Sequence, residues 1–126
     1  MLKLEVCGLG ATKTTDIIKK QFAGQVEVIN DADRIAVRKV KNGEADFYLG
    51  SCETGGGASL AAAFAVLGFK NCLTVSRQGV VPNEAKIRQM IYGGSHKAFG
   101  YVHTHTEKVV PALVQALLDK AEGKPE

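Results

Sequence analysis

The sequence predicts an α/β fold: a Rossmann-like or flavodoxin-like three-layer sandwich on a five-stranded, mainly parallel sheet. Two observations carry this. Short runs of strand composition alternate with helix-like stretches of about 10 to 15 residues, five times along the chain. Glycine, proline or a capping residue punctuates most of the junctions. Strands joined through helices imply right-handed crossovers, and therefore parallel strands with both faces of the sheet covered. Strand order is not readable from such a pattern.

Each element has a local reason. Leu2-Lys3-Leu4-Glu5-Val6-Cys7 alternates apolar and polar residues and ends at Gly8-Leu9-Gly10. Thr12, Thr14 or Thr15 can cap a first helix, where Ile18 and Phe22 share a face and Gly24 follows the end. Gln25 to Ile29 reads as the second strand. Asn30 or Asp31 then caps a helix through Ala36, Val37 and Val40 that closes at Gly43. Asp46 to Gly50 is the third strand, followed by a glycine-rich segment and a helix from Gly57 to Leu67. Cys72 to Val75 is the fourth strand, and Asn83 to Tyr92 a helix entered at Pro82 and left at Gly93. Ala98 to Val102 is the fifth strand. Glu107 to Lys120 is the last helix, whose start Pro111 leaves open by several residues. The chain reads as one domain over residues 1–121 with a frayed tail at 122–126.

This architecture says where to look for a site. Open parallel sheets bind ligands beyond the carboxyl ends of their strands, where the strand order reverses. The segments at those ends are Gly8 to Thr15, Asn30-Asp31, Ser51 to Gly57, Ser76-Arg77 and His103 to His105.

The strongest signal among them is Ser51-Cys52-Glu53-Thr54-Gly55-Gly56-Gly57-Ala58-Ser59. Three consecutive glycines cost conformational entropy, so they need a reason. Glycine permits close backbone approach and positive φ, and free N–H groups at a helix start attract an anion. A phosphate or carboxylate is the expected guest. Cys52 stands just before that helix, where a thiol is acidified and can act as base or nucleophile. Cys72, inside a strand, reads as structural, and Cys7 closes the first strand beside the site.

The pattern Cys52-x-Thr54-Gly55-x-Gly57-x-Ser59-Leu60-Ala61-Ala62 resembles the active-site signature of the B-type ribose-5-phosphate isomerases and the related galactose-6-phosphate isomerase subunits. The resemblance implies that Cys52 is the base moving a proton between adjacent carbons. It also implies that Thr54 and the amides of Gly55 to Gly57 hold the oxyanion. That family opens with Asp-His-Ala-Gly after its first strand, where this chain has Gly8-Leu9-Gly10-Ala11. Its signature carries glycine and asparagine where Glu53 and Ala63 stand here. Over nearly its whole length the chain resembles the small bacterial proteins of the YhfU type, through Gly50-x-Cys52-x-Thr54-Gly55-x-Gly57, an alanine-rich helix and the step Gly68-Phe69. That likeness implies a cytoplasmic βα protein and brings no activity with it.

Other candidates are weaker. His103 and His105 close the fifth strand, and one of them could serve as a proton-transfer partner of Cys52 or contact the ligand. Two imidazoles and Glu107 are few for a metal centre, and none is expected. Arg77 follows the fourth strand on the ligand edge and suits bidentate recognition of an anion. Gly8-x-Gly10 and Lys13 in the first loop could add contacts, but no dinucleotide fingerprint or Walker lysine pattern is present, so no cofactor is expected. His96 reads as a surface residue.

Composition narrows the remaining classes. A net charge of +3, dispersed and without interleaved aromatics, argues against nucleic acid. No apolar run is long enough to span a bilayer, so no membrane insertion is expected, and the N-terminus lacks a secretory pattern. Three scattered cysteines predict neither disulfides nor a zinc site, and point to the cytoplasm. The helix from Ala58 to Leu67 carries no charge, which predicts a homodimer or larger homo-oligomer packed on it. The expected function is binding of a small anionic metabolite at the glycine loop, with sugar-phosphate isomerisation through Cys52. The alternative is a non-catalytic ligand-binding or transporter-associated regulatory subunit.

Overall fold

The computed structural model describes residues 1–126. Five strands, β1 (Leu2–Gly8), β2 (Val26–Ile29), β3 (Phe47–Cys52), β4 (Cys72–Thr74) and β5 (Ala98–Val102), form one sheet in the order β2-β1-β3-β5-β4. Every pairing is parallel, so the α/β sandwich expected from the βα alternation is the fold observed. The helices are α1 (Ala11–Gln21), α2 (Asp33–Lys41), α3 (Ala61–Leu67), α4 (Glu84–Tyr92) and α5 (Thr106–Ala121).

The alternation in β1 decides which side chain faces which layer. Leu4 and Val6 join the larger core, where α1, α4 and α5 bring Ile18, Ile87 and Leu113 onto Phe99 and Tyr101. Glu5 and Cys7 turn to the other face, covered by α2 and α3. That second core is built of small residues, Ala36, Ala45, Ala63 and Ala98, around Tyr48. Small side chains let the short helices lie close to the sheet. The same layer leaves Phe69 76% exposed, stacked on Phe64 with ring centroids 4.5 Å apart.

From β1 the chain runs to β2 on one side and then crosses to β3 on the other. The order therefore reverses between β1 and β3, where Gly8 and Ser51 are the last residues paired. A crevice opens at that point.

Several local expectations are revised. The first helix starts directly after Gly10, and Thr14 and Thr15 are buried within it instead of capping it. Thr14 turns inward because its hydroxyl meets Tyr101 Oη at 2.5 Å. Ala32, not Asn30 or Asp31, precedes α2, because those two side chains are engaged elsewhere. Strand β3 runs two residues further than expected, through Ser51 and Cys52. The helix placed at Gly57 to Leu67 begins as a 3-10 turn, Ala58–Leu60, and only then becomes α3. A 3-10 turn, His103–His105, precedes α5, which puts Pro111 inside the helix. His96 is half-buried, its Nδ1 fully covered. At the C-terminus, Tyr92 Oη donates to Lys124 O (2.8 Å) and Arg88 Nε to Glu126 O (2.9 Å).

Candidate functional site

The crevice at the reversal is a cleft of about 710 Å³. The end of β1 and its loop supply Cys7, Gly8 and Leu9, and the β2–α2 loop supplies Asn30 to Asp33. The opposite wall is Tyr48 with Ser51, Cys52, Glu53 and Thr54, and the 3-10 turn closes it with Ala58 and Ser59. No lysine, arginine or histidine lines it.

Cys52 is its chemical centre. The residue is only 7% exposed, and burial alone opposes ionisation of the thiol. Hydrogen bonds to the sulfur outweigh burial and bring it down to about 6. Gly55 N–H donates to Sγ at 3.2 Å, the Thr54 hydroxyl lies 3.8 Å away, and the Ser59 hydroxyl and N–H also face it. The Ser59 hydroxyl has no hydrogen-bond partner of normal geometry, so its dipole is free to turn to the sulfur. The thiolate is thus stabilised by donors converging from a loop and a 3-10 turn, and not by the terminus of a long helix. Cys7, on the same cleft, is the opposite case: burial and the nearby Glu5 and Asp33 carboxylates push its thiol up to about 12. Two cysteines therefore share one cleft, one anionic and one neutral.

The glycines divide by role. Gly8 has φ +98°, and a Cβ there would lie 2.0 Å from Ser51 O, so glycine is what lets β1 and β3 approach at the cleft floor. Gly10 donates its N–H to Ser51 Oγ at 2.7 Å, and Ser51 Oγ approaches Cys7 O at 3.4 Å. The triplet Gly55-Gly56-Gly57 does not line the cleft. A Cβ at Gly55 would meet Ser76 O at 2.1 Å, and one at Gly56 would meet Thr74 Oγ1 at 2.6 Å. These glycines let the loop cross the ends of β4 and β5, and so aim the residues before them at the cleft. The N–H groups of Glu53, Thr54, Gly56 and Gly57 donate to no group of the protein.

The outlying candidates separate. His103 lies near the cleft mouth, with Nε2 3.3 Å from Glu53 Oε1, although it does not line the cleft. His105 points to the β4 side, where Nδ1 meets Ser76 Oγ at 3.3 Å. Arg77 is exposed and lines a separate cavity with Val80, Pro82 and Lys86. Neither lines the cleft: β4 is the edge strand beyond β5, so the loop that carries Arg77 opens away from the reversal, and His105 turns toward Ser76 of that same loop. Lys13 is committed to Glu107 at 2.5 Å.

The cleft also gathers residues not picked out from the sequence as ligands: Cys7, Asn30, Asp31, Asp33 and Tyr48. Asn30-Asp31 stood at a strand end and carried that much signal. Tyr48 carried none, since a strand tyrosine reads as core. Each carboxylate has a partner: Asp31 binds Lys39 Nζ (2.7 Å), Asp33 accepts from Arg34 N–H (2.7 Å), and Glu53 faces His103. No group of three or more His, Cys, Asp or Glu side chains is placed to hold a metal ion, and no helix is long and apolar enough to cross a membrane.

The chain has relatives in sequence and in fold. A family profile described as a protein of unknown function, DUF2620, matches residues 2–117. The uncharacterized protein YhfU of Escherichia coli K12 is 36% identical over 117 residues, covering 93% of this chain and 99% of its own. Its counterpart in Shigella flexneri has the same identity and coverage. Among solved structures, a ribose 5-phosphate isomerase from Thermotoga maritima superposes with a TM-score of 0.65 over 93% of this chain and 86% of that one. At 15% identity that likeness is one of fold.

Proposed function

The chain belongs to the DUF2620 family, and from that premise we propose that it binds a small anionic metabolite in the β1–β3 cleft and isomerises it by proton transfer at Cys52. The observation that carries the reading is the buried Cys52 sulfur, held as a thiolate near neutral pH on the wall of a cleft large enough for a phosphorylated sugar. A base of that strength removes a proton from the carbon beside a carbonyl and returns it to the neighbouring carbon, with no oxidant or reductant consumed. The charge that develops is an enediolate oxygen, and the unpaired N–H groups of Glu53 and Thr54 are donors on the same wall. The Glu53–His103 pair at the mouth is the group available to shuttle the hydroxyl proton. The B-type isomerase likeness of Cys52, Thr54, Gly55, Gly57 and Ser59 supports the same assignment.

A second reading has its own observation. Neither His103 nor His105 lines the cleft, and a non-catalytic ligand-binding or regulatory subunit needs only the amides and the enclosed volume. We also propose a cytoplasmic setting and a homodimer or larger homo-oligomer, and the exposed Phe69 beside the uncharged α3 supports the self-association.

Incubation with ribose 5-phosphate and other aldose phosphates in deuterated water tests the proposal. Turnover predicts deuterium at the carbon next to the carbonyl in the wild type and none with Cys52→Ala, while both proteins keep a ligand-induced rise in melting temperature. A rise without deuterium in the wild type favours the binding subunit. No rise with any anion refutes both.

A further inference from the structure

Glu5 is a carboxyl group at the centre of β1, level with Ile29 of β2 and Tyr48 of β3, and it is completely buried. An ionised carboxylate there is strongly unfavourable unless it is fully paired. Its surroundings do not pair it. Oε1 receives one long hydrogen bond, 3.4 Å, from Asp31 N–H, and Oε2 has no hydrogen-bond partner. Lys39 Nζ stands 4.0 Å from Oε2 but 2.7 Å from Asp31 Oδ2, so its charge is committed to Asp31. The other titratable groups on this face offer no counter-charge: Cys7 and Tyr48 stay neutral through burial, and Asp33 and Glu44 are acidic.

We propose that Glu5 is a positioning residue that keeps a proton shared with Asp31, and by that bond fixes the Asn30–Asp33 wall of the cleft until it ionises. Asp31 is the hinge of the arrangement, because its backbone and carboxylate reach Glu5 and Lys39 while the residue also lines the cleft. Its carbonyl in addition receives the Cys7 thiol at 3.2 Å. With the proton in place, the Glu5 carboxyl becomes a donor as well as an acceptor, its side chain interacts with the Asp31 carboxylate, and Lys39 neutralises the pair. Once the proton leaves for solvent, two carboxylates compete for one ammonium group, and only the Asp31 side is free to move toward water.

Burial, and after it the Asp31 carboxylate, raise Glu5 to about 7, whereas Lys39 and Glu5 together hold Asp31 below its ordinary value. Glu5 therefore favours the folded state most at acid pH and loses that contribution as the pH rises from its unfolded value to about 7. Glu5 holds its proton whether or not Cys52 acts on a substrate.

Carbon-13 and nitrogen-15 NMR titration of the full chain, from about pH 5 to 9, tests it. In the wild type, the Glu5 carboxyl carbon and the Asp31 and Ala32 amides should share one inflection near neutrality. In Glu5→Gln the amide inflection should vanish, with shifts frozen at the acid-limit wild-type positions. In Lys39→Met the shared midpoint should move upward. A Glu5 carbon that titrates in the ordinary carboxylate range overturns the proposal. Wall amides that ignore the Glu5 titration, or an inflection that survives in Glu5→Gln, overturn it equally. The wild type and Lys39→Met keep the question decidable if Glu5→Gln does not fold.

Discussion

Replacing Ser59 with alanine tests where the acidity of Cys52 comes from. The Ser59 hydroxyl is buried, faces the sulfur and has no other partner, so its removal strands no second polar group. The bond from Tyr48 Oη to the Ser59 carbonyl, 2.8 Å, is untouched by the change. A hydrogen bond to a charged acceptor contributes about 1.5–3 kcal/mol, which is about 1–2 pKa units. The Cys52 midpoint should therefore move from about 6 to between about 7 and 8. Alkylation by iodoacetamide, followed site by site by mass spectrometry across pH, reads this directly. The midpoint is the quantity to compare, because a more basic thiolate is also more nucleophilic, with a Brønsted slope of about 0.4–0.5. Cys7 and Cys72 serve as internal controls, since burial raises both. A midpoint unmoved in Ser59→Ala would refute the role of the hydroxyl, and a wild-type midpoint in the ordinary thiol range would refute the thiolate itself. The sign for stability is also set. A thiol depressed on folding stabilises the native state above its unfolded pKa, and that contribution fades as the pH falls through about 6.

Two pairs of substitutions probe the scaffold around the cleft. Gly8→Ala forces a side chain into positive φ and onto Ser51 O, and should cost more than about 3 kcal/mol in urea denaturation. Gly24→Ala is the control, with φ +78° but nothing within 4 Å, and should cost about 1–2 kcal/mol; equal costs would show that crowding at Ser51 is not what Gly8 relieves. Tyr101→Phe leaves the Thr14 hydroxyl buried without its partner and should destabilise by about 1–3 kcal/mol. Adding Thr14→Val should recover part of that loss in a double-mutant cycle, and strict additivity would mean that the two hydroxyls are not coupled.

What the sequence determined by itself is local. The alternation Leu4-Glu5-Val6-Cys7 implies a strand with two different faces, and the step from Tyr48 through Gly57 to the alanine-rich stretch implies a strand, a tight loop and a helix. Those signals depend on neighbours a few residues apart, so they survive without the fold, and they placed Cys52 and Gly8 at strand ends. Sheet order is decided by which strands meet across long stretches of chain, and no local spacing encodes it. With β2 beside β1 and β4 at the far edge, Asn30 to Asp33 enter the cleft, while Arg77 and His105 fall outside it. The same non-local packing turns the triplet Gly55-Gly56-Gly57 toward Ser76 and Thr74, and brings Ser59 to the Cys52 sulfur. The buried proton of Glu5 belongs to this second group. An acidic residue in an alternating strand reads as solvent-facing until tertiary structure lays α2 over it and leaves one oxygen without a partner.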